Sequence, residues 1–410
     1  MLGYNKIIFL NRQEECAMAD HLMESIITAV NNAGPELDQL SKNIYENPEL
    51  GYQEHKACAW HCALLEKHGF AVERNYCGME TAFRAVYDSG KPGLSAAFLA
   101  EYDALPGVGH GCGHNILGAV SDGAAIGLKA VIDELGGRVV LFGTPAEETS
   151  GAKVIMAEQG KFDDMDFALM AHPANCYSKS GSSLALMPIQ FEFFGKAAHA
   201  ASDPWNGLNA LDAALTTMNA INALRQQMLP TSRIHGVMLD GGLAANVVPE
   251  YTRLQYYVRS VTKAYNQELL EKVKNCARAG ALAAGCRLEM TRYELPYDNM
   301  VTNQTLGNAV YQAMEDVSGI PITICHEAMG SLDAGQVSHV CPTVHFYFDI
   351  TDGNRAIADH SREMAEATQT EFAKKSARHT AAALALAAAR VMRDPALLVR
   401  IQEEFNQADK

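Results

Sequence analysis

Between Thr81 and Pro173 the chain alternates short apolar runs with one alanine-rich stretch. The runs AFRAVY, LSAAFLAEYDALPG, RVVLFGTPAEE and FALMAHP are punctuated by glycine or acidic residues. Apolar runs of this length predict strands, and the segment from Gly113 to Leu135 predicts a helix among them. Strand, helix and strand in succession is the pattern of an α/β sheet with helices on its faces. In such sheets binding and reacting residues gather where strands end. Asp103, Glu147, Glu148 and His172 all sit at or just past the ends of strand-like runs.

The flanks have a different texture. Residues 20–70 carry helical spacing broken at Asn47-Pro48, where proline disfavours helix at the residue before it, so two helices and a turn are expected. At about Met187 the pattern changes. PIQFEFFGKAAHA alternates like a strand, NGLNALDAALTTMNAINALRQQM carries a helical apolar stripe, and GVMLDGG and TRLQYYVRS are two further strands. A helix from about Tyr265 to Ala284 and a strand around Cys286 to Tyr293 complete an α+β segment. After Thr305 the α/β texture resumes, with TVHFYFDI as a buried strand and an alanine-rich helix from about Thr368 to Met392. The expected organisation is an α/β domain with a central sheet flanked by helices, built from 1–186 and 301–410, with an α+β domain inserted at 187–300.

Composition excludes some functions. With 48% hydrophobic residues in 410, the chain can build a large core, and disorder is not expected. A net charge of −15 without any dense basic cluster argues against nucleic acid as partner. The N-terminal apolar stretch, Ile7 to Leu10, is too short for a signal-peptide core or a membrane span. No membrane partner and a cytoplasmic location are therefore expected. The ten cysteines lack regular spacing and fit reduced thiols rather than a disulfide framework.

Three motifs carry chemistry. HGCGHN, residues 110–115, spaces two histidines and a cysteine with glycines on a turn leading into a helix, which brings imidazole and thiolate donors together as a borderline metal requires. The alternative for Cys112 and His114 is a buried cysteine beside a hydrogen-bonded histidine. TPAEET places Glu147 beside Glu148 after a strand, and adjacent carboxylates stay ionised together only in water or beside a cation. A cation would separate their tasks into ligand and proton acceptor. His172 in MAHP ends an apolar strand, where a satisfied core histidine is the ordinary outcome.

Taken with FFGKAAHAASDPWNGLNAL and GGLAANVVPEYTRLQYYVR, these strings resemble the dinuclear metal-dependent aminoacylase and carboxypeptidase family. More narrowly, they resemble its amidohydrolase branch of hippurate, indole-acetyl-amino-acid, aminobenzoyl-glutamate and β-alanyl-dipeptide hydrolases. The resemblance runs in order from about residue 35 to the last helix. It implies two divalent cations, zinc or manganese, held by Cys112, His114, Glu148, His172 and His360. It further implies Glu147 as general base and Asp103 as the carboxylate orienting a ligand. His199 matches a histidine that polarises the scissile carbonyl, Asn246 matches a side chain beside the substrate's carboxylate end, and Arg259 is a second candidate there. For Arg259 the alternative is a surface salt bridge from an edge strand. Asp333 is a pocket candidate without a role, His110 reads as a neighbour of the ligands or a solvent-facing side chain, and Glu101 is left out of the ligand set.

The implied reaction is hydrolysis of an amide bond in an N-acyl amino acid, an aminobenzoyl-glutamate or a dipeptide. The inserted domain would act as lid and as homodimer interface. Two other readings remain open: a non-catalytic or partner-dependent subunit of the same fold, and a thiol hydrolase using Cys112. The second leaves Glu147 and Glu148 without a task.

Overall fold

The computed structural model describes the backbone of residues 2–327 and 330–408, and side chains from residue 20 onward apart from 326 and 327. The stretch Ile7 to Leu10 thus lies outside the described side chains. The chain divides into two compact units, 1–181 with 301–327 and 336–409, and 182–300 with 328–335.

The first unit begins with α1 (Leu2–Glu46) and α2 (His55–Lys67), then β1 (Ala71–Arg74), β2 (Phe83–Asp88) and β3 (Ser95–Ala100). There follow α3 (His114–Leu135), β4 (Arg138–Gly143), the single turn α4 (Glu147–Ser150), α5 (Ala152–Glu158), β5 (Phe167–Ala174) and β6 (Lys179–Ser182). The second unit is formed by β7 (Ala185–Phe194), α6 (Ala210–Leu224), β8 (Arg233–Asp240), β9 (Tyr251–Ser260), α7 (Lys263–Ala284) and β10 (Arg287–Thr291). The chain ends with α8 (Gln304–Ser318), β11 (Cys325–Glu327), α9 (Ala334–Val340), β12 (Thr343–Asp349), α10 (Arg362–Ala367), α11 (Glu371–Arg393) and α12 (Pro395–Gln407).

The larger sheet has the order β1-β2-β4-β3-β5-β12 and is mixed. β4, β3, β5 and β12 run parallel, while at one edge β2 joins β4 antiparallel and β1 joins β2 antiparallel. β3 is buried along its whole length, as a strand covered on both faces must be. α3 packs on α1, α11 and β3, and its buried face joins Leu117, Leu128 and Ile132 to the core. By length and composition α3 is apolar enough to cross a membrane, but 89% of its most apolar window is buried within the protein. Four parallel strands share one carboxyl-terminal edge. Glu101 and Asp103 follow β3, Glu147 follows β4, and His172 lies near the end of β5.

The second unit is an antiparallel sheet of order β10-β7-β9-β8 with α6 and α7 packed against it. β9 alternates buried and half-buried positions, so Leu254, Tyr256 and Val258 enter the core while Tyr257 and Arg259 face the other way. Because β9 lies between β7 and β8, Arg259 is on an interior strand, which corrects the edge-strand reading. None of the nine cysteines with described side chains forms a disulfide.

Candidate metal centre

The turn 110–113 is shaped by one glycine. Gly113 has φ 77, a region costly for residues with a Cβ, and a Cβ there would come within 2.5 Å of Pro173 Cγ. The turn therefore lies directly against the end of β5, which brings His172 Nε2 to 3.4 Å from Cys112 Sγ. His172 Nδ1 is 2.7 Å from the carbonyl oxygen of Pro173, which fixes the proton there and leaves Nε2 as the lone-pair nitrogen. His114, the first residue of α3, is fully buried with Nδ1 2.9 Å from Asp103 Oδ1. Its Nε2 makes no hydrogen bond and lies 3.2 Å from Glu101 Oε2.

The acidic turn arrives from β4. Ala146 has φ 64 and ψ 34, a left-handed conformation that costs an L-residue about 1–2 kcal/mol, and it starts the turn that carries Glu147 and Glu148. Asp103 reaches this turn as well, its Oδ2 accepting the N–H of Glu148 at 3.0 Å. The buried Oε1 of Glu148 has no hydrogen-bond partner and sits 3.7 Å from His360 Nε2. His360 is itself left-handed at φ 60, and its N–H donates to the carbonyl of Gly111 at 3.0 Å. That bond fastens the C-terminal segment to the HGCGH turn.

Three donor groups result: Cys112, His114 and His172; Cys112, Glu148 and His360; His114, Glu147 and Glu148. Within each, one ligand atom per residue lies within 4.8 Å of the others, and shared members link the three into one cluster. Thiol, imidazole and carboxylate donors suit divalent zinc or manganese. The buried Nε2 of His114 and Oε1 of Glu148, neither of which makes a hydrogen bond, are polar atoms such a cation satisfies. The Asp103–His114 contact has the form of the outer support that metal-ligating histidines use. The residues present fit a divalent metal.

The electrostatics are those of a charge-dense, partly buried site. Burial pushes the Cys112 thiol well above its usual range, against the pull of the nearby His114. Burial also works against a charged His114, but the carboxylates of Glu101 and Asp103 beside it hold its pKa well above the usual value. Burial and then His114 press His172 down to about 4.

Several residues of this environment carry no motif. Glu101 is paired with Lys153, Nζ to Oε1 2.6 Å, and both side chains are essentially inaccessible. Burial favours the neutral acid, yet Lys153 and then His114 outweigh it and bring Glu101 to about 2. His345 stacks on His172 at 5.5 Å, on a strand whose Tyr347 pairs in register with His172. Glu54 is fully buried and accepts the N–H of Ala146 at 2.8 Å. His110 is 1% exposed, which corrects the solvent-facing alternative, and neither ring nitrogen has a hydrogen-bond partner.

The remaining candidates lie in the second unit. His199 is exposed, and its Nδ1 accepts the N–H groups of Ala201 and Ser202 at 3.2 Å, so a neutral ring carries its proton on Nε2. Asn246 is exposed on the segment whose Val247 bridges His199. Arg259 donates to Ser331 Oγ at 3.0 Å and lies over the Tyr257 ring at 5.6 Å, with Nε buried and without a partner. Asp333 is fully buried.

Comparison with known proteins supplies the class. The peptidase dimerisation domain of M20 peptidases matches residues 186–284. Mouse Xaa-Arg dipeptidase is 37% identical over 394 residues, covering 92% of this chain and 90% of that protein. Human Xaa-Arg dipeptidase is 38% identical over 397 residues, again covering 92% of this chain and 90% of that protein. A dinuclear metal binding peptidase from the M20 family, solved from Bacillus subtilis, shares the fold with a TM-score of 0.63 at 18% identity, covering 88% of this chain and 99% of its own. Fold and relatives define an enzyme of the peptidase and amidohydrolase class. The chain belongs to the M20 peptidase family.

Proposed function

We propose that this protein hydrolyses the amide bond of a small substrate with two divalent cations held by Cys112, His114, Glu148, His172 and His360. The observation that carries the reading is the linked set of donor groups at the end of the parallel strands. Bound cations supply Lewis acidity there and lower the pKa of water. Glu147 takes a proton from the attacking water and returns it to the leaving nitrogen. Asp103 keeps the His114 proton on Nδ1 and anchors the N–H of Glu148, so both donors hold their positions. His199, with its proton on Nε2, donates to the carbonyl oxygen as charge builds on it. Asn246 and Arg259 bind the substrate's carboxylate end.

The substrate class favoured is a dipeptide with a basic carboxyl-terminal residue. The mouse relative is named for Xaa-Arg dipeptides and aligns over 92% of this chain. A net charge of −15 also draws cations rather than anions. N-acyl amino acids and aminobenzoyl-glutamate are the comparison substrates. We further assign 1–186 and 301–410 as the catalytic domain, 187–300 as lid and homodimer interface, and the cytoplasm as location.

The test is metal content per chain, with hydrolysis of β-alanyl-arginine, an N-acetyl amino acid and aminobenzoyl-glutamate before and after chelation. About two equivalents of zinc or manganese, and activity lost on chelation and restored by metal, are expected. Glu147→Gln should keep metal and lose nearly all turnover. Retention of most of its kcat would overturn the base assignment.

A further inference from the structure

The loop before α2 grips the turn that carries Glu147 and Glu148. Glu54 occupies the position at which a side chain caps a helix, yet it makes no cap bond to α2. Glu49 takes that task, accepting the N–H groups of Lys56 at 2.9 Å and Ala57 at 3.0 Å. The Glu54 carboxylate is thereby left to reach Ala146, the left-handed residue directly before Glu147, at 2.8 Å. At the far end of the same turn the Tyr52 hydroxyl donates to the carbonyl of Ser150 at 2.8 Å. Between these two bonds Gly51 is in close approach: a Cβ there would lie 2.5 Å from Thr149 Oγ1 and 3.0 Å from Ala146 Cβ. The loop is also tied to the other support of the site, because the Glu49 carbonyl accepts the N–H of Ala104, next to Asp103, at 2.9 Å.

We propose that Glu54 is a positioning residue, assisted by Tyr52, that holds the 146–150 turn in its left-handed entry and so aims Glu147 and Glu148. An alanine at φ 64 relaxes towards ordinary backbone unless its surroundings satisfy it there, and a buried N–H without an acceptor adds to the drive to move. Glu54 supplies that acceptor. The inference rests on the reading of Glu147 as general base, since displacement of the turn then registers in turnover. Substrate need not contact Glu54, so ground-state binding should be little affected.

The experiment compares Glu54→Gln, Glu54→Leu, Tyr52→Phe and Glu147→Gln, each metal-loaded and assayed on the fastest substrate of the panel above, with metal content and Tm measured alongside. Glu54→Leu removes the acceptor and should lower kcat by at least about tenfold, with KM and metal content within about twofold of wild type. Glu54→Gln keeps a carbonyl oxygen for Ala146 and should retain kcat within about threefold. Tyr52→Phe loses only a hydroxyl and should lower kcat about threefold. A folded Glu54→Leu with wild-type kcat overturns the proposal, as does equal impairment of the Gln and Leu variants. Should Glu54→Leu fail to fold, Tyr52→Phe decides, and an unchanged kcat there overturns it. If Glu147→Gln abolishes turnover while the loop variants are silent, only the positioning role fails; if Glu147→Gln is active, the base assignment fails.

Discussion

The carboxylate of Asp103 faces His114 at 2.9 Å through Oδ1 and, through Oδ2, accepts the backbone N–H of Glu148 at 3.0 Å. One side chain therefore orients a candidate ligand on α3 and fixes the backbone of another after β4. Asp103→Asn keeps the volume but offers a single acceptor, so one of the two contacts is lost. Outer supports of this kind are worth about 10–100-fold in metal affinity. A chelator competition with zinc should show a loss of that order for Asp103→Asn, and affinity equal to wild type would refute the support role.

What the sequence shows of this arrangement is divided along physical lines. The strands β2 to β5 and the helix α3 are legible because each is long, apolar and bounded by glycine or acidic residues. The short β1, β6 and β11 are not, since three or four residues establish no period. Nor is α12 set apart from α11, since only Asp394 separates the two helices. In the site, HGCGHN and the Glu147-Glu148 pair can be singled out by residue type and spacing, each with a structural alternative until the resemblance joins them. His360 becomes visible only through family resemblance, because it sits on an irregular loop and reaches the cluster through its bond to Gly111. Glu101 just past β3, Lys153 on α5, His345 on β12 and Glu54 at the start of α2 are far apart in sequence, and only the sheet order and loop packing bring them to the site. An acidic residue after a buried strand and a lysine in a mostly buried helix were the signals available for Glu101 and Lys153.

Lys153 and Glu101 form a buried ion pair with side chains 0% and 2% exposed. Removing one partner of such a pair leaves an uncompensated charge and costs about 3–5 kcal/mol. Lys153→Met should lose stability of that size in urea denaturation of chelator-treated protein. Adding Glu101→Gln removes the orphaned charge and should recover part of the loss, so the two changes should be non-additive. A destabilisation below about 1 kcal/mol for Lys153→Met would show the pair to be structurally idle.

Glu54 also shapes the pH dependence of stability. Burial, and then the Asp103 charge, raise its carboxyl from 4.5 to about 7. The folded state therefore holds this proton more tightly than the unfolded chain. The associated stability is fully present below about pH 4.5 and is lost as pH rises through about 7. Each pKa unit corresponds to about 1.4 kcal/mol, so roughly 3 kcal/mol is at stake across the window. Glu54→Gln has no proton to lose at this position. Its Tm should gain on that of wild type between pH 5 and pH 8, and parallel Tm profiles for the two proteins would contradict the assignment.

As a candidate ligand, Cys112 would set both the softness of the site and its coupling to protons. Its sulfur lies 3.4 Å from His172 Nε2, and burial keeps the thiol protonated well beyond the usual range. A cation that binds the thiolate must displace that proton, so affinity rises with pH. Cys112→Ser substitutes a hard oxygen donor for sulfur and should weaken zinc far more than manganese, since thiolate favours the softer ion. Zinc affinity measured between pH 6 and pH 8 should rise more steeply in wild type than in Cys112→Ser, by about one proton per metal. Equal slopes with equal zinc affinities would remove Cys112 from the ligand set and leave His114, His172, Glu148 and His360 to account for the bound metal.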